Sequence, residues 1–86
     1  MPAVETLWGE AATLHAIAEA QLATAGNVPS ALRRARAAVG LWRRIGSRTW
    51  LATGLETLAD AHARAGDPHA ARRARAEAAE LSGTTP

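Results

Sequence analysis

The string Pro29-Ser30-Ala31-Leu32-Arg33-Arg34-Ala35-Arg36-Ala37 returns, 39 positions later, as Pro68-His69-Ala70-Ala71-Arg72-Arg73-Ala74-Arg75-Ala76. The proline, the first alanine and the whole Arg-Arg-Ala-Arg-Ala run are kept. Each copy follows a glycine break, Ala25-Gly26-Asn27 and Ala65-Gly66-Asp67, and these breaks lie 40 positions apart. A duplication of this period is the signature of a supersecondary unit that cannot bury its apolar face alone and stacks on its neighbour. It limits the chain to an architecture made of two copies of one hairpin.

Punctuation and period say what the unit is. Gly26 and Gly66 stand where a helix needs a left-handed residue to stop, and Pro29 and Pro68 where the next helix can spare an N–H. Ile45-Gly46-Ser47 is a third break, with Ser47 placed to cap the third helix. Between the breaks, apolar residues recur at three and four, the helical period. The first helix, about 4–25, carries Leu7, Ala11, Leu14, Ala18, Leu22 and Ala25. The second, about 29–45, carries Leu32, Ala35, Val39, Trp42 and Ile45. The third, about 48–65, carries Leu51, Leu55, Leu58, His62 and Ala65, and the fourth, about 68–81, Ala71, Ala74, Ala78 and Leu81. Turns this short join only antiparallel neighbours. The expectation is an all-α fold: four antiparallel helices forming two stacked helix-turn-helix repeats, about 4–45 and 48–81, with a flexible tail over 82–86. A closed four-helix bundle serving dimerisation or small-ligand binding is the alternative, and it requires the fourth helix to pack on the first.

Composition agrees. Among 86 residues there are 23 Ala and 10 Arg but no Lys, Cys, Phe or Tyr, so helix formers abound and strand formers are scarce. Alanine allows close helix approach but buries little area, so the core leans on Leu32, Trp42, Leu51, Leu55, Leu58, His62 and Leu81. The formal net charge is only +2, and the high isoelectric point reflects arginine without lysine rather than a strong excess of base. That balance, with no aromatic interleaving of the arginines, argues against nucleic acid as a partner. The absence of cysteine removes disulfide and thiolate chemistry. Neither a secretory leader nor a membrane-spanning run is visible, so a soluble, cytoplasmic protein is expected.

The chain resembles the tetratricopeptide (TPR) repeat family. Ala65-Gly66-Asp67-Pro68-His69-Ala70-Ala71 is similar to the turn between the two helices of that repeat, as are Gly26-Asn27 and Ala31. Leu55, Leu58 and Ala59 fall where the family has a large-large-small set, His62 where it has a large residue, and Ala78 at its next small position. The period of about 40 is similar to the long TPR variants of large bacterial transcriptional regulators. The first helix departs from the pattern at His15 and Glu19, and Gly46 stands where the family closes a repeat with proline. The resemblance implies a protein–protein interaction or self-association module, plausible as part of a larger regulator, with the first helix of each pair lining a concave face. Thr13, Ala16, Ala20, Thr53, Glu56, Thr57 and Asp60 are then the candidate groove, fit for a peptide segment of basic character.

Trp8 and Trp50 lie beside the stripes near the starts of their helices. They are candidate interface anchors, where tryptophan is enriched, and a homodimer would hide them, since two repeats are fewer than the roughly three that a stable array needs. Arg33, Arg36 and Arg44 share a flank, a second and weaker candidate surface, for phosphate. His15, His62 and His69 have no i,i+4 histidine and no cysteine beside them, so no metal or other cofactor is expected. No Ser-His-Asp order, carboxylate pair or phosphate loop points to an enzyme. Gly9, Gly40 and Gly54, inside helices, are expected to permit close contact between helix axes.

Overall fold

The computed structural model describes residues 3–24 and 26–83, and these are helical without strands: α1 (Val4–Ala23), α2 (Val28–Ile45), α3 (Arg48–Arg64) and α4 (Pro68–Leu81). The fourth helix has the expected limits. The first and third stop short, α3 ending at Arg64 with Ala65 an exposed cap. Ala25, expected on the first stripe, and Thr84 to Pro86 of the tail lie outside the described residues.

Every inter-helix turn is built from the punctuation residues. Asn27, Ser47 and Asp67 each accept the backbone N–H three residues on, at 3.0, 3.2 and 3.0 Å, capping α2, α3 and α4. Gly46 and Gly66 take the left-handed conformation, φ 85° and 84°, which only glycine adopts without strain. Gly26, expected at the same stop, lies one position beyond it because α1 ends at Ala23, and its N–H donates to Gln21 O as that of Asp67 does to His62 O. The α3–α4 turn is a full Schellman closure: Asp67 N–H donates to His62 O and Gly66 N–H to Ala63 O. Asp67 thus ends one helix through its backbone and starts the next through its carboxylate.

Contacts give the directions. Gln21, late in α1, bonds Ser30, early in α2, whereas Trp8, early in α1, meets Trp42, late in α2. Arg48 at the start of α3 reaches the Leu81 carbonyl at the end of α4. Both hairpins are therefore antiparallel, and α1 runs parallel to α3. The helix α3 lies against α2, α4 and α1, while α1 and α4 do not pack on one another among the described residues. The Cα trace measures 36 × 34 × 17 Å, a slab two helices thick.

The core joins Ala11, Val39, Trp42, Leu51, Leu55, Ala59 and the α4 alanines, with a second cluster of Leu22, Ala31 and Ala61. Trp42, Leu51, Leu55 and His62 are buried as expected, and Leu32, Leu58 and Leu81 are half-buried. Of the helical glycines only Gly54 mediates a close approach: a Cβ there would stand 2.9 Å from Trp42 Cδ1. Gly9 and Gly40 have no neighbour within 4 Å of a Cβ position and face open space. That expectation is corrected for both.

The duplication carries a slip. The caps Asn27 and Asp67, and the buried pairs Ala11/Leu51 and His15/Leu55, are 40 positions apart; the buried pairs Ala31/Ala70, Ala35/Ala74 and Val39/Ala78 are 39 apart. The extra residue of the first copy is Val28, between the cap and the proline.

Candidate interaction surface

The parallel pair α1 and α3 forms a crevice floored by α2. Its N-terminal half is filled by indoles. Trp42 stacks on Trp50, centroids 5.3 Å apart and planes at 18°, and Trp8 meets both edge-on at 5.7 Å. Trp42 is fully buried, but Trp8 and Trp50 stay 41% and 38% exposed. The sequence places these two at the margins; the structure brings them together over Trp42. Edge-to-face and offset-stacked arrangements match the quadrupoles of the rings. His15 is buried beside them, its ring 6.5 Å from Trp50 and its Nε2 3.4 Å from Glu19.

The C-terminal half of the crevice is a depression lined by Glu19, Leu22, Ala23, Thr57, Asp60 and Arg64. The expected groove set therefore divides. Thr57 and Asp60 reach this crevice, though Thr57 is buried and donates its hydroxyl to the Thr53 carbonyl. Thr53 and Glu56 lie in another depression, between α3 and α4, with Ala52, Ala78, Ala79 and Ser82. Thr13, Ala16 and Ala20 are exposed and line neither. On α1 it is Glu19, Leu22 and Ala23 that border the crevice.

Arg64 is the residue that sequence reasoning passed over. Its Nη1 donates to the Leu22 carbonyl at 2.6 Å, setting a cation on the C-terminal end of α1 and tying the second hairpin to the first. A basic residue 42 positions from the helix it caps leaves no local signal.

Charge is divided by helix. Among the described residues α1 carries Glu5, Glu10 and Glu19 and no arginine or lysine, α2 carries five arginines and no acid, and ion pairs between helices are few. Arg43 holds Glu77 through both carboxylate oxygens, the longer contact at 2.7 Å, and Arg75 holds Asp60 at 3.2 Å. The Arg43 hydrogen bonds keep the Glu77 carboxyl below its ordinary range, against the opposing effect of burial. The Ala70 N–H does the same for Asp67. His62, on the floor of a depression between α2 and α4 with Leu55 and Leu58, has its pKa lowered first by burial and then by Arg36 and Arg73. Arg33, Arg36 and Arg44 are exposed.

No three histidine or carboxylate side chains gather as a metal site among the described residues, and no helix of the structure is long and apolar enough to cross a membrane. No family model, curated protein or solved structure matches the chain.

Proposed function

We propose that the protein is a protein-binding module of the TPR type, whose α1–α3 crevice receives a partner segment of basic character. One observation carries this reading: a half-exposed aromatic pair, Trp8 and Trp50, stands at one end of a crevice whose other end holds Glu19 and Asp60. Tryptophan offers a large, rigid anchor area, and a carboxylate beside it selects for arginine or lysine. Asp60 is bound only by the exposed contact with Arg75, worth about 0–1 kcal/mol, so a partner's cation competes for it at small cost. The resemblance of the Gly66-Asp67 turn and the Leu55, Leu58, Ala59 set to the TPR pattern supports the same reading, since the first helices of that repeat line its binding face.

The test is a titration with an amphipathic helical peptide rich in arginine and leucine, followed by the indole N–H resonances. Movement of the Trp8 and Trp50 signals with the Glu19 and Asp60 amides is expected, and Glu19→Arg with Asp60→Arg should weaken binding by about tenfold or more. Binding that ignores both charge reversals removes the crevice as the site.

A further inference from the structure

The internal packing of this protein shows how a second hairpin docks on the first, and the same contact can be compared with what the two ends of the slab present. The helix α3 meets the first hairpin through Trp50, which stacks on Trp42 and Trp8, through Gly54, which receives the Trp42 ring, and through Thr57 beside Leu22. Forty positions earlier, the same row on α1 is Glu10, Leu14 and Ile17: Glu10 is exposed, Ile17 is 37% exposed, and Leu14 between them packs in part on the core and stays half-buried. At the opposite end of the slab, Trp8 and Trp42 have Arg48 and Leu81 as counterparts, 40 and 39 positions on. Arg48 and Leu81 border an open notch with Thr49, Ala52, Thr53 and Ser82. Two of its lining residues, Arg48 and Leu81, thus hold the positions that meet Trp50 of α3 in the first hairpin.

We infer that α1 of a second copy of this chain docks in the α3–α4 notch, so that copies continue the stack head to tail. Charge and size both match. Glu10 takes the place of Trp50, and the residue it meets is Arg48, whose guanidinium is held over the notch by the Leu81 carbonyl at 3.2 Å and forms no ion pair among the described residues. Where Gly54 makes room for the large Trp42, Leu14 meets the smaller Leu81. A symmetric contact of α1 with α1 would set Glu5, Glu10 and Glu19 against themselves, with no arginine or lysine on that helix to offset them and only the buried His15 beside Glu19. A contact of this unlike-faced kind leaves a free notch and a free α1 on every linear assembly, so it does not stop at a dimer. It uses a face of α1 other than the crevice and stands without the partner proposed above.

Sedimentation from micromolar to millimolar concentration tests it. The average mass should climb without stopping at a dimer. Ile17→Arg blocks the α1 face and Thr53→Arg blocks the notch; both sites are exposed, and circular dichroism verifies that the variants keep their helices. Each variant alone should be monomeric, while an equimolar mixture should form a one-to-one dimer and go no further. Glu10→Arg should weaken association by about tenfold or more, and Arg48→Glu in the same chain should restore it. A wild type that is monomeric throughout or halts at a dimer, blocked variants that still associate alone, or a mixture that stays monomeric overturns the inference.

Discussion

Gly54 of α3 and Trp42 of α2 are in contact so close that a single added carbon, 2.9 Å from the indole Cδ1, has no room. The ring is fully buried between Trp8, Trp50 and Val39, so it cannot swing aside. Gly54→Ala should therefore destabilise the fold by about 1–3 kcal/mol, despite alanine's better helix propensity. Gly40→Ala, at an exposed helical site with open space, should stabilise it by about 0.5–1 kcal/mol. Urea unfolding of the two variants measures both signs.

Trp42 is the largest fully buried side chain and touches three helices through its neighbours. Trp42→Ala should cost about 3–5 kcal/mol. In a domain this small that is enough to abolish cooperative unfolding, seen as loss of the thermal transition.

Asp67 joins α3 to α4 by two separate devices, and only the carboxylate depends on the side chain. Asp67→Ala should cost about 0.5–2 kcal/mol, with Asp67→Asn close to wild type because an amide oxygen also accepts from Ala70. Chemical denaturation of the pair distinguishes capping from charge.

The depressed pKa of His62 fixes a direction with pH. The unfolded chain binds a proton near the ordinary histidine value of 6.5, while the folded chain resists it. Stability from this residue is thus complete above pH 6.5 and is lost as pH falls through that value, until the folded site itself protonates. Glu77 and Asp67, held low, contribute stability above their ordinary range and lose it at lower pH still. The melting temperature should fall between about pH 7 and pH 5, and His62→Leu should flatten that window while leaving the acid limb in place.

Much of the fold was legible because its signals are local. Glycine at the left-handed stops, Asn27, Ser47 and Asp67 at the caps, and apolar spacing of three and four each act within a few residues. The duplicated arginine string then linked the two halves. What was not legible depends on rotation and distance. Which flank of α1 borders the crevice depends on helical phase, and α1 presents apolar or small residues over much of its circumference, so Glu19, Leu22 and Ala23 were not singled out. Thr57 lines the crevice as expected of a groove residue, yet it is buried, its hydroxyl returned to its own helix. Arg64 and the gathering of Trp8 and Trp50 over Trp42 arise only once the second hairpin is laid on the first. Gly9 and Gly40 have the same sequence context as Gly54, and nothing short of the packing tells them apart.

Both binding proposals need the slab to be open, with α1 and α4 on opposite edges. Nuclear Overhauser contacts in the Ile17→Arg variant, which cannot extend head to tail, test this most directly. Cross-peaks should join the indoles of Trp8 and Trp50 to Trp42, and Ala61 to Ala31, with none between the α1 and α4 methyl groups. Cross-peaks linking Ala16 or Ala20 to Ala76 or Ala79 would close the four helices into a bundle and contradict the open slab.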